Sequence, residues 1–171
     1  EPEEEEGGNG AVADLLGRGA DVLKQVFSEC PSYDEIVPAL LMEGGVDKLH
    51  SRCHFRPGVP VKPMLAKPTC GVSEVLQRFS DVEFTCEYKY DGERAQVHLL
   101  PNGDVKIFSR NSEDMTGKYP DVIAMLPRAI KPGLTSVILD CEAVAIDTTT
   151  GEIRPFQVLS TRKRKAASVD E

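Results

Sequence analysis

No apolar run in the 171 residues approaches the roughly 20 that a membrane-spanning helix needs, so no membrane segment is expected. Nor is there a Cys-x-x-Cys pair. Cys30, Cys53, Cys70, Cys86 and Cys141 are odd in number and scattered, which argues against a disulfide scaffold and fits a reduced intracellular compartment. His50, Cys53 and His54 cluster without a second ligand pair, so a plain loop is the reading there rather than a metal site. The basic start of a signal peptide is lacking too: the chain opens Glu1-Pro2-Glu3-Glu4-Glu5-Glu6. With no initiator Met, it is expected to be an internal piece of a longer protein. Positive charge is in deficit, the net being −8, but the deficit is uneven. Residues 1–60 carry five basic and twelve acidic side chains, a net of −7, and residues 61–171 carry fifteen and sixteen, a net of −1. Phosphate binding depends on local clusters, so the global charge does not exclude a nucleic-acid partner.

What is present fits an ordinary globular chain, with 40% hydrophobic and 28% charged residues. Residues 1–10, acidic and Gly-rich, are expected to be disordered. Leu15, Leu16, Val22, Leu23, Val26 and Phe27 recur with helical spacing up to Cys30, and Pro31 ends that helix. Ser32-Tyr33-Asp34-Glu35 reads as a capping box opening a second helix, which Gly44-Gly45 stops. Four prolines between residues 51 and 68 predict an extended connector, with a domain boundary near Arg56. Val72 to Phe79 predicts a short helix with Val72, Val75, Leu76 and Phe79 on one face.

The central stretch is Glu87-Tyr88-Lys89-Tyr90-Asp91-Gly92-Glu93-Arg94. Asp91-Gly92 predicts a tight turn between strands 83–90 and 93–100, glycine supplying the positive φ of such a turn. Ala95, Val97 and Leu99 alternate with Arg94, Gln96 and His98, the period of a half-buried strand. Glu87 and Lys89 share a face, and Asp91 and Arg94 lie close by. A solvated charge cluster on a surface hairpin explains this as simply as a nucleophilic lysine does. Ordinary lysine, with a pKa near 10.4, is neutral in only about one molecule in 2,500 at pH 7. A nucleophilic role therefore needs desolvation or a nearby cation.

Beyond it, Pro101-Asn102-Gly103-Asp104 predicts a turn and Val105 to Ser109 a strand. Met115 to Ile130 contains a helical run, with Pro120 in its first turn and Val122, Ile123, Met125 and Leu126 buried. Val137 to Ile146 is an apolar strand in which Asp140 and Glu142 share a face, open to an internal salt bridge or a cation site. A turn at Thr148 to Gly151 leads to an expected strand from Glu152 to Leu159. Arg162-Lys163-Arg164-Lys165 reads by default as a solvated helix start, with a nuclear-localisation signal or a phosphate-contacting patch as alternatives.

Glu87 to Arg94 resembles the adenylylation motif of ATP-dependent DNA ligases, members of the Lys-x-Asp-Gly nucleotidyltransferases. Phe108-Ser109-Arg110-Asn111, Thr116-Gly117-Lys118-Tyr119-Pro120-Asp121 and Phe156 to Lys165 are similar to the eukaryotic ligase I branch, so the resemblance runs from about Pro31 to Lys165. It implies an α+β fold: a mostly antiparallel sheet with flanking helices, the first part of a nucleotidyltransferase (ATP-grasp-like) adenylylation domain over residues 57–171. Residues 11–56 would be the closing helices of a DNA-binding domain, and Pro63-Met64-Leu65-Ala66 would lie near the nucleotide. The implied activity is ATP-dependent sealing of nicks in duplex DNA, with ATP and Mg²⁺ as cofactors, in replication, repair and recombination.

The implied roles are Lys89 as nucleophile on the α-phosphate, Glu87 toward the base and Arg94 toward the nucleotide. Arg110 would serve the ribose or the DNA 5′-phosphate, Glu142 the metal or ribose side, and Asp91 the placing of Lys89. The expected setting is a nuclear monomer, with the mitochondrion as a second location and replication or repair proteins meeting parts outside this chain. The family's later Glu-Gly and Lys-x-Lys segments and its oligonucleotide-binding barrel do not follow Lys165, so the chain alone is expected to be incomplete for catalysis. Alternatives are an RNA ligase or mRNA-capping type of nucleotidyltransferase, or a non-catalytic DNA- or partner-binding module.

Overall fold

The computed structural model describes residues 6–163; residues 1–5 and Arg164-Lys165 of the basic run lie outside them. Two cores organise the chain. The first is helical. Helix α1 (Glu6–Glu29) begins inside the segment expected to be disordered and ends as Pro31 approaches. Its buried Val26 packs with Cys30, with Ile36 and Ala39 of α2 (Tyr33–Leu41), and with Leu49 and Cys53 at the two ends of α3 (Leu49–Arg52). Ser32 occupies the N-cap of α2 but makes no side-chain cap bond. The expected box fails because Glu35 turns away to Arg56, 2.5 Å distant. At the other end of α2, Arg52 donates to the carbonyls of Ala39 and Glu43, groups a helix terminus leaves without partners.

The second core lies under a three-stranded antiparallel sheet of order β2-β1-β3, with β1 Glu93–Leu99, β2 Val105–Ser109 and β3 Val137–Ala143. The fold is α+β with an antiparallel sheet, as expected. Ala95, Val97 and Ile107 face α5 (Pro120–Ala129) and α6 (Phe156–Ser160), meeting Tyr119, Leu126 and Leu159. Pro120 takes the first helical position, where its missing N–H costs nothing. Met125, expected inside, is mostly exposed. The chain joins β1 to β2 through the Asn102-Gly103 turn, with Leu100 N–H bonded to the Asp104 carbonyl. Helix α4 (Val72–Arg78) forms where its pattern placed it, yet Val72 and Leu76 of its apolar face stay exposed.

The structure corrects the expected central hairpin. Residues 83–90 form no strand, because β1 has only two edges and both are taken, by β2 and by β3. The stretch from Glu152 to Leu159 is likewise not one strand: a single bridge pairs Ile146 with Ile153, and α6 follows. Nor are Asp140 and Glu142 buried, since that end of β3 is exposed. Among the described residues, no helix is long and apolar enough to cross a membrane.

The alternation along β1 also differs from expectation, because its polar face is covered. Gln96 and His98 are buried beneath the connector that follows α3. Burial pushes the His98 imidazole below its ordinary pKa. The folded state therefore holds it neutral while the unfolded chain would take up a proton. Its contribution is complete above about pH 6.5, the unfolded value, and is lost as pH falls below that. Urea midpoints measured from about pH 7.5 down to 5.5, above the carboxylate range, should drop. A flat profile that matches a His98→Asn variant would contradict this.

Candidate active site

One end of the sheet opens into a cleft of about 540 Å³. Lys89 stands at its rim on the irregular segment leading into β1, and Gly92, Glu93 and Arg94 at the start of β1 form one wall. Ser109 closes β2 and Arg110, Asn111 and Glu113 follow it, Glu142 comes from β3, and Phe156, Ser160 and Arg162 come from α6 and its end. Lys89, Arg94, Arg110 and Glu142, placed together by the sequence reading, thus line one cleft. Glu87 and Asp91 do not line it, and both are exposed.

The charges differ in how far they are committed. Arg94 forks onto Asp140, with Nε 2.9 Å and one terminal nitrogen 2.5 Å from the two carboxylate oxygens. That hydrogen bond raises the guanidinium pKa further, overcoming the effect of burial. Register puts Arg94 directly opposite Glu142 and diagonal to Asp140 on the same sheet face. Asp140 is therefore half of an ion pair, one of the two possibilities left open for the carboxylates of β3. Among the described residues, Lys89 and Arg110 have neither a hydrogen-bond nor an ion-pair partner. The cleft thus offers two uncommitted cations beside three, Arg94, Lys118 and Arg162, that are each paired with a carboxylate.

The cleft wall contains a network the sequence reading missed. Glu93 accepts hydrogen bonds from Lys118 Nζ at 2.5 Å and from the Tyr119 hydroxyl at 2.6 Å. Burial alone would raise the Glu93 pKa, but these two bonds and the Lys118 charge outweigh it and hold the carboxyl below its usual range. The Tyr119 phenol moves the other way, pushed up by burial and by donation to Glu93. Arg162 lies 5.7 Å over the Tyr119 ring and pairs with Asp121, so it is not the solvated helix start expected. The only sequence signal was the Thr116-to-Asp121 stretch, which carried resemblance without roles. Tyr119→Phe should cost about 1.5–3 kcal/mol, the scale of a buried hydrogen bond to a charged group. Urea denaturation measures it, and an unchanged midpoint would show that the hydroxyl does not hold Glu93.

Among the described residues no group of three or more His, Cys, Asp or Glu side chains could hold a metal. A Mg²⁺ ion, however, is commonly held by one or two carboxylates plus substrate phosphates and water. Glu142 and Glu113 on the cleft wall fit that mode.

Lys89, Arg94 and Arg110 thus meet in one cleft at the end of an antiparallel sheet, an arrangement whose charge and donors suit phosphate oxygens. Residues 63–171 match the family described as the ATP dependent DNA ligase domain. DNA ligase 1 of Arabidopsis thaliana is 56% identical over 156 residues, 91% of this chain and 20% of the relative. DNA ligase 1 of Dictyostelium discoideum is 53% identical over 86% of the chain and 12% of the relative, and that of Saccharomyces cerevisiae 48% over 92% and 21%. The ligase domain of M. tuberculosis LigD is a looser structural neighbour, with 32% identity and a TM-score of 0.35 over 46% of this chain and 24% of that one. The chain belongs to the ATP-dependent DNA ligase family. It spans about one fifth or less of the length of these DNA ligase 1 relatives.

Proposed function

We propose that this chain supplies the nucleophile half of an ATP-dependent DNA ligase that seals nicks in duplex DNA. The observation that carries the reading is the meeting of Lys89, Arg94, Arg110 and Glu142 in one cleft, although they span more than fifty positions of sequence. In this reading Lys89 attacks the α-phosphate of ATP, forming a P–N bond and releasing pyrophosphate. The AMP passes to the 5′-phosphate of a nick, and the 3′-hydroxyl displaces it. Such transfers need positioning and charge neutralisation more than covalent help. Arg94, held by Asp140, is oriented for a nucleotide oxygen, and Arg110 is free for the ribose or the DNA 5′-phosphate. Glu142 would hold Mg²⁺, whose chemistry when bound is to neutralise the phosphates. Glu87 toward the base is the weakest of the assigned roles, since it stands outside the cleft.

Residues 11–56 serve as the closing helices of a DNA-binding domain and 57–171 as the first part of the adenylylation domain, in keeping with two separate cores. The expected setting is a nuclear monomer acting on nicked duplex in replication and repair. The deciding experiment is intact mass after incubation with ATP and Mg²⁺, on this chain and on one extended to the length of its relatives. The extended chain should gain one AMP and then lose it to nicked DNA. Uptake of GMP from GTP, or transfer to RNA ends only, would favour the capping or RNA-ligase alternative. Silence in both chains would overturn the ligase reading.

A further inference from the structure

The connector between the helical core and the sheet is gripped from both sides. Its backbone lies on the covered face of β1. Gly58 N–H donates to His98 Nδ1 at 3.0 Å. One residue pair away, the Gln96 carboxamide reads Val61 in both directions: its Oε1 accepts the Val61 N–H at 2.9 Å and its Nε2 donates to the Val61 carbonyl at 2.6 Å. His98 Nε2 stands 3.3 Å from the same Oε1. With Nδ1 accepting, Nε2 carries the proton, so the network is neutral and internally consistent. His98 is fully buried, Gln96 nearly so, and the imidazole is wedged edge-on against Phe108 at 4.9 Å.

The opposite side of the connector belongs to the helices. Val59 packs against the helical core, and Lys62 N–H donates to the Ser28 carbonyl near the end of α1. Gly58 and Val61 of the strap are thus committed to the sheet, and Val59 and Lys62 to the helices. Amide and imidazole side chains inside a sheet-covered face are costly unless every donor and acceptor is paired. Here they are paired to the strap and to each other.

We infer that Gln96 and His98 are positioning residues that fix the helical module against the catalytic sheet, and that they govern the DNA-dependent steps rather than the charging of Lys89. The inference rests on the ligase reading. Every group lining the cleft comes from residues 89–162, so ATP chemistry there requires nothing from the helices. A nucleotide fits within the cleft, whereas a duplex is long enough to touch helices and cleft together. Only the duplex can sense how the two modules are set. Gln96 also shares its sheet face with Arg94, two residues nearer the cleft, without lining the cleft itself.

The test uses Gln96→Met, which keeps length and removes both bonds to Val61, and Gln96→Glu, which keeps the acceptor and removes the donor. In the chain extended to its relatives' length, lysyl-AMP formation from ATP should stay within about twofold of the unsubstituted protein. Single-turnover sealing of a nicked duplex by the pre-charged protein should fall about tenfold in Gln96→Met, the scale of losing a pair of buried hydrogen bonds, and at least as far in Gln96→Glu, whose carboxylate would face the Val61 carbonyl. Hydrogen exchange at the Gly58 and Val61 amides should rise in both. Unchanged sealing, or charging and sealing falling in equal proportion, overturns the inference. If the unsubstituted protein forms no lysyl-AMP, the ligase reading fails first, and the exchange measurement on this chain still decides whether the strap is held: unchanged protection defeats it.

Discussion

Lys89→Ala should abolish covalent attachment of AMP altogether, and Lys89→Arg should do the same. The first removes the nucleophile. The second keeps the positive charge at the cleft rim and so tests whether charge alone suffices. A guanidinium stays protonated and cannot present a free nitrogen lone pair to phosphorus, and its planar fork would contact phosphate oxygens instead. Both variants should fold normally, because Lys89 is exposed and makes no contact that holds another residue. Loss of the mass gain with an unchanged urea midpoint therefore reports chemistry rather than stability. The arginine variant should still bind ATP without reacting, whereas Arg110→Ala should weaken nucleotide or nick binding and leave Lys89 competent. Covalent AMP on Lys89→Ala, mapped to another side chain, would remove Lys89 from the mechanism. Lys118 would not be the replacement expected, since its ammonium is buried against Glu93.

The parts of the fold that were legible in the sequence are those written locally. The periodicity of Val22, Val26 and Phe27, the Asn102-Gly103 turn, the strand from Val105 to Ser109 and Pro120 at a helix start all appear as read. What was not legible depends on pairing over distance. Asp91-Gly92 looked like a hairpin turn because a short-range signal says nothing about which edges of the next strand are already occupied. Glu93 meets Lys118 and Tyr119 across 25 and 26 positions, and Gln96 meets Val61 across 35. Those polar contacts look, in sequence, like ordinary solvent-facing residues. The cleft residues fared better because the family resemblance had already grouped Lys89, Arg94, Arg110 and Glu142. Glu87, grouped by its spacing from Lys89, stands outside the cleft because 83–90 does not continue as a strand beside β1.

Gly92→Ala should be strongly destabilising, for a reason other than turn geometry. Gly92 does not adopt a positive φ, so the left-handed freedom of glycine is not what the position uses. It uses the missing Cβ. A carbon built there would lie inside the contact distance of the Ala143 carbonyl oxygen and 2.9 Å from Val144 Cγ1. The first neighbour is backbone at the end of β3 and cannot rotate away. Relief requires the start of β1 to peel from β3, undoing the Glu93–Ala143 and Arg94–Glu142 pairings. Arg94 would then lose its alignment on Asp140, and Glu93 its approach to Lys118 and Tyr119. A cost of about 3 kcal/mol, the upper end of overpacking, is expected in urea denaturation, together with loss of lysyl-AMP formation. Gly103→Ala provides the contrast. Its φ of 87° disfavours a side chain, but nothing stands within 4 Å of the added carbon. Its cost should stay near 1–2 kcal/mol, roughly the left-handed penalty alone, with charging intact. If Gly92→Ala proved no worse than Gly103→Ala, β1 and β3 would not approach so closely at the cleft, and the wall that carries Arg94 and Glu142 would be built differently.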